Sequence, residues 1–299
     1  MTGCSSKLLH FTAKYDILFT ENFTKAGEGI MAYRMIVLDL DGTLTNRDKV
    51  ITPRTKEALM KLKSQGGTIV LASGRPTYGI MPLARELGLT EDGGYILSFN
   101  GGRIIECRSG ETVFAKELPV ASNKKIIALA KEHGVNILTY EGDCIITPDS
   151  GDIYVKKESD INKLEVRKVE NFAEYVDFPV VKFLLLDDGD YLALVEPKVK
   201  AALGRDYSVY RSEPYFLEVL PKGIDKAASL ERLLTRLDMT KDEMIACGDG
   251  YNDLSMIQYA GLGVAMENAV LPVKNAADYV TLSNNDDGVA HVIEKFMLS

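Results

Sequence analysis

The stretch Met35-Ile36-Val37-Leu38-Asp39-Leu40-Asp41-Gly42-Thr43 decides how this chain is read. Four consecutive apolar residues, with no polar alternation, have the pattern of a strand buried on both faces. Two carboxylates two positions apart then follow, next to a glycine. Like charges so close repel unless a cation sits between them. The pattern therefore implies a strand that ends at a metal site.

The same style recurs on both sides of this stretch. Pro53 suits the first turn of a helix carrying Ala58, Leu59 and Leu62, and Gly66-Gly67 stops it. Thr68-Ile69-Val70-Leu71-Ala72 is a second strand. Arg75-Pro76 opens a second helix, with Ile80, Leu83, Ala84 and Leu87 on one side and Gly88 at its end. Tyr95-Ile96-Leu97-Ser98 is a third strand, ending at Asn100-Gly101-Gly102. This βαβαβ order predicts a parallel sheet with helices on its faces. The tail resumes it. A helical stripe runs from Ala227 to Leu237, and Met244-Ile245-Ala246-Cys247 is a strand before Gly248-Asp249-Gly250-Tyr251-Asn252-Asp253. Short strands at 262–266 and 279–281 and a final helix from His291 to Phe296 complete the pattern.

The middle is less regular. Helices are expected near 122–133 and 198–204. The apolar runs 181–186 and 191–195, separated by Asp187-Asp188-Gly189-Asp190, read as a β-hairpin. The acidic tetrapeptide resembles part of a calcium loop but lacks the rest of that spacing, so a hairpin turn is the expectation. The fold class expected is α/β: a Rossmann-like parallel-sheet core, residues 33–114 and 216–299, with an α/β domain inserted at 115–215. Residues 1–32 read as an extension ahead of the first strand.

Composition narrows the function. The chain has 299 residues, 46% hydrophobic and 26% charged, with a formal net charge of -8. That balance disfavours nucleic-acid binding, which rests on Lys and Arg at phosphates. No stretch approaches the roughly 18 consecutive apolar residues of a membrane helix. The four cysteines lack the spacing of a disulfide framework or a metal site, and read as buried free thiols in a reducing cytoplasm. Three scattered histidines give a zinc site little to build on.

In an open parallel sheet, ligands bind beyond the carboxyl ends of the strands. Asp39/Asp41, Ser73-Gly74-Arg75 and Asp249/Asn252/Asp253 all follow strands, and Lys226 stands near a helix start. These types fit phosphoryl transfer. A carboxylate can attack phosphorus, a second can move the proton, and Mg²⁺ can offset charge. A hydroxyl, N–H groups and a lysine can hold the phosphoryl oxygens. Each cluster also has a structural reading. Asp41-Gly42 can be a turn, Ser73-Gly74 a helix cap, Lys226 a solvated helix lysine, and Asp249 and Asn252 caps. Four ordered clusters are hard to explain as four independent caps.

Together the clusters resemble the haloacid dehalogenase-like phosphatases. Asp39-Leu40-Asp41-Gly42-Thr43 is similar to the first motif of that family, Leu71-Ala72-Ser73-Gly74-Arg75 to the second, Lys226 to the third, and Gly248 to Asp253 to the fourth. The insertion and Ser98-Phe99-Asn100-Gly101-Gly102 point to the Cof-type branch, subclass IIB, with its large C2 cap. The resemblance implies Asp39 as nucleophile and metal ligand. It implies Asp41 as general acid/base, giving the metal its backbone carbonyl, and Asp249 as a further ligand. Leu40, Ser73, Gly74, Lys226 and Asn252 would bind phosphate, and Asp253 would support Asp249 or the metal's waters. Arg75 would reach the substrate or cover the helix start. Asn100 and Gly101 would border the pocket or form a turn. The implied function is a Mg²⁺-dependent, cytoplasmic phosphatase of small phosphorylated metabolites such as sugar phosphates, working through an aspartyl-phosphate as a monomer or small homo-oligomer. A phosphotransferase or mutase on the same fold, and a receiver-like phosphate sensor, are the alternatives.

Overall fold

The computed structural model describes residues 33–298. The expected extension at 1–32 lies outside them, as does Cys4. The strands, in chain order, are β1 (Met35–Leu38), β2 (Thr68–Ala72), β3 (Tyr95–Ser98), β4 (Arg103–Glu106), β5 (Thr112–Ala115), β6 (Asn136–Glu141), β7 (Cys144–Thr147), β8 (Glu165–Lys168), β9 (Phe183–Leu186), β10 (Tyr207–Glu213), β11 (Phe216–Pro221), β12 (Met244–Gly248), β13 (Leu262–Ala265) and β14 (Tyr279–Val280). Among the described residues they form an eight-stranded sheet, β14-β13-β12-β1-β2-β3-β4-β5, and a six-stranded sheet, β10-β11-β9-β6-β7-β8.

The first sheet is parallel from β14 to β3, with β4 and β5 added antiparallel. β1 lies inside it, in register with β12 (Leu38 opposite Cys247) and with β2 (Leu38 opposite Leu71). Met35, Ile36, Val37 and Leu38 are all fully buried. Covered faces explain why the strand is apolar throughout rather than alternating. The neighbours of β1 decide what meets Asp39: Ser73 just past β2 on one side, Asp249 just past β12 on the other.

The second sheet is antiparallel except for β7–β8. Its strand β11 ends at Pro221, beyond the expected boundary at 215. The expected hairpin is corrected here. Its first run is β9, but its second run lies in a helix, Gly189–Leu203, which absorbs the helix expected at 198–204. The Asp188 carboxylate accepts from the N–H groups of Asp190 and Tyr191 and starts the helix. Leu192, Val195, Val199 and Leu203 are its buried face, at helical spacing. Thus Asp187 to Asp190 is a helix start rather than a hairpin turn.

Cys107 and Cys247 are buried as expected, whereas Cys144 is only half-buried. No helix among the described residues is long and apolar enough to cross a membrane.

Candidate active site

Lys226 is the first residue of the helix Lys226–Arg236, whose N-cap is Asp225. Its side chain is completely buried. The ammonium donates to Asp39 Oδ1 at 2.7 Å, to Asp253 Oδ1 at 2.6 Å and to the Ala72 carbonyl at 2.8 Å. A buried cation needs such partners, since desolvation alone would drive off its proton. Burial works against the charge on Lys226, but Asp253 and Asp39 outweigh it and raise its pKa. The reading of Lys226 as a solvated helix lysine is therefore excluded.

Asp39 is buried, and burial raises its pKa, helped by the charge of Asp253 and opposed by Lys226. Asp249 is pushed up to about 6, first by burial, with Asp253 adding to it and the Thr43 hydroxyl opposing. That hydroxyl donates to Asp249 Oδ1 at 2.9 Å. Asp253 is fixed by more than Lys226: its Oδ2 accepts from the N–H groups of Asp249 and Gly250. Asp39, Asp249 and Asp253 each offer a carboxylate oxygen within 4.8 Å of the others. A set of hard oxygens with surplus negative charge fits Mg²⁺.

Asp41 lies apart from this cluster. Its carboxylate accepts from Arg75 Nε at 2.8 Å, Arg75 Nη2 at 2.6 Å and Lys49 Nζ at 2.7 Å. Burial would raise its pKa, but Arg75 and Lys49 outweigh that and hold it below the usual carboxylate range. Arg75 thus grips Asp41, a role absent from the sequence reading. Ser73 is buried, and its Oγ accepts from the Arg75 N–H. It is not the helix cap, because the helix starts at Thr77 with Pro76 as N-cap. Asn252 donates to Asn100 Oδ1 at 3.2 Å, and Asn100 has a left-handed backbone (φ 55°). Asn100 therefore both makes the turn and borders the site.

Asp39, Asp41, Ser73, Arg75, Asn100, Lys226, Asp249, Asn252 and Asp253 line one cavity of about 720 Å³. Of the expected site residues, Leu40 and Gly101 do not line it; the side chain of Leu40 is wholly buried in the core. Only the backbone of Leu40 could serve a phosphate. The far wall of the cavity comes from the second sheet and its helices, through Glu158, Asn162, Lys182, Tyr210, Arg211 and Glu218. Lys182 and Glu218 form a buried ion pair at 3.1 Å. Glu158 accepts from the Tyr140 hydroxyl and from Asn162. Sequence reasoning passed over this wall, although Lys182 and Glu218 each interrupt an apolar run. It also passed over Asn268, which donates to the Gly42 carbonyl at 2.8 Å.

The family model described as haloacid dehalogenase-like hydrolase matches residues 36–293. The chain belongs to that family. A haloacid dehalogenase-like hydrolase from Bacteroides thetaiotaomicron is 51% identical in solved structure, with a TM-score of 0.85, covering 88% of this chain and 99% of that one. The HAD subclass IIB sugar phosphatase BT4131 superposes with a TM-score of 0.72 at 25% identity, covering 88% and 98%. By sequence, the 5-amino-6-(5-phospho-D-ribitylamino)uracil phosphatase YcsE of Bacillus subtilis is 29% identical over 266 residues, 89% of this hydrolase and 96% of that protein.

Proposed function

We propose that this hydrolase is a Mg²⁺-dependent phosphatase of small phosphorylated metabolites, sugar phosphates in particular, acting through an aspartyl-phosphate on Asp39. The observation that carries the reading is the buried Lys226 ammonium held between Asp39 and Asp253, with Asp249 beside them, at the end of an open cavity. The relatives named as sugar and phosphoribityl phosphatases support the substrate class.

Asp39 attacks phosphorus through a carboxylate oxygen, and the ester P–O bond breaks. Asp41 gives its proton to the leaving oxygen, then takes one from the water that hydrolyses the aspartyl-phosphate. To do so Asp41 must leave Arg75 and Lys49, which hold it ionised, turn toward the leaving group and take up a proton there. Lys226 faces the phosphoryl oxygens and keeps the Asp39 carboxylate oriented. Ser73, the Gly74 and Leu40 N–H groups and Asn252 are the proposed further contacts to those oxygens. Asp39, Asp249 and the Asp41 carbonyl would hold Mg²⁺, with Asp253 fixing Asp249. When bound, the ion offsets charge on nucleophile and phosphoryl group.

The test is phosphate release from p-nitrophenyl phosphate. Activity should require Mg²⁺, vanish with EDTA and return when Mg²⁺ is restored. Asp39→Asn should lower it by about a thousandfold or more, as loss of a covalent nucleophile does. Full activity in Asp39→Asn would refute the mechanism.

A further inference from the structure

We infer that the cavity selects phosphomonoesters whose leaving alcohol carries no negative charge, a neutral hydroxylated group rather than a second phosphate or a carboxylate. The inference rests on the phosphatase reading and narrows its substrate class.

The argument is one of unspent charge. Eight Asp and Glu residues line the cavity, against four Lys and Arg. Each of the four cations already has a carboxylate partner. Lys226 pairs with Asp39 and Asp253, Arg75 with Asp41, Lys182 with Glu218, and Arg211 with Glu196. Among the described residues, the one provision for a phosphoryl group is the divalent ion that Asp39 and Asp249 would hold, beside Lys226. A second anion finds no such provision among the described residues of the cavity wall.

Two cations reach the cavity from the side of the second sheet: Arg211 on β10, already engaged by Glu196 and by the Gly189 and Pro214 carbonyls, and Lys182, which is poorly placed to change partners. The Lys182 side chain is 4% exposed and that of Glu218 6%. Turning Lys182 to an anionic substrate would leave Glu218 buried without its cation, which is strongly unfavourable. An anion would also approach Glu213 and Glu218 on the same wall. A neutral polyol meets none of this repulsion. Tyr210, Ser212 and Asn162 line the same wall and can exchange hydrogen bonds with hydroxyls.

Matched pairs test this with the full-length protein and Mg²⁺. Fructose 6-phosphate is compared with fructose 1,6-bisphosphate, and glycerol 3-phosphate with 3-phosphoglycerate. In each pair kcat/KM should fall about tenfold or more when the extra anion is present. Equal or better turnover of the charged members overturns the inference while leaving the phosphatase reading intact. If p-nitrophenyl phosphate and all four esters are inert, the phosphatase reading itself fails and the inference falls with it. Glu213→Lys places a cation at an exposed rim position, where folding is not at stake, and Glu218→Gln releases Lys182. Either should narrow the gap within both pairs by about threefold or more. A gap that stays constant in both variants overturns charge as its cause.

Discussion

Gly42 sits where the chain turns past the two aspartates, with a φ of 89°. A Cβ there would lie 2.3 Å from Asp249 Oδ2. Gly42→Ala should therefore lose about 1–2 kcal/mol to the left-handed backbone alone, read from urea unfolding. The displaced Asp249 should also raise the Mg²⁺ concentration for half-maximal activity several-fold. Glu158 makes a different test, away from the metal cluster. Burial raises its pKa, against the opposing effects of Lys182, the Tyr140 hydroxyl and Asn162. An unfolded glutamate titrates near 4.3, so the folded chain keeps this proton to higher pH than the unfolded chain does. The stability tied to it is full below that value and is lost as pH rises through the raised one. Glu158→Gln has no proton to lose. Its urea midpoint relative to the parent should thus improve as pH rises above the unfolded value; a constant difference would show an unperturbed Glu158.

At the scale of elements, the helix Gly189–Leu203 teaches most. Its sequence offers a short apolar run after an acidic turn, which fits a strand or a helix. Pro197 inside it argues further against a helix, because proline lacks the N–H of the ladder. What settles it is the Asp188 cap and a buried stripe that needs β10 and β11 to pack against. Asp188→Ala should lower stability by about 1 kcal/mol in thermal unfolding, the usual worth of an N-cap. A hairpin turn would tolerate the change. By contrast β1, β2, β3 and β12 were legible from sequence, because strands covered on both faces are apolar without interruption. The Lys182–Glu218 pair was not. Leu184 stands opposite Glu218 in the β9–β11 ladder, so Lys182 is diagonal to Glu218 on the same face. That neighbourhood follows from pairing and register, which the two separate runs do not announce.

Across the whole molecule, the two sheets meet at the cavity. The helix Thr77–Glu86 touches the helix Ile153–Asn162, and Gly79 faces Asn162. A Cβ on Gly79 would lie 2.7 Å from Asn162 Oδ1. Gly79→Val should overpack this contact and move the wall that Asn162 helps to form away from Asp39. Overpacking of this kind costs about 1–3 kcal/mol, so KM should rise about fivefold or more with the far-ultraviolet circular dichroism unchanged. A KM equal to the parent's would show that the contact does not seat the wall.

The sequence by itself determined the α/β class, the ends of the central strands and the identity of Asp39, Asp41, Ser73, Lys226 and Asp249 as one candidate constellation. It could do so because apolar periodicity and residue type are local properties of the chain. Only the tertiary structure decided that Arg75 grips Asp41, that Asp253 joins the carboxylates around Lys226, and that Lys182 and Glu218 spend each other's charge. Those facts belong to residues far apart in the chain. A buried charge is governed by whichever opposite charge folding brings within hydrogen-bonding distance, and that distance is not written in either segment alone.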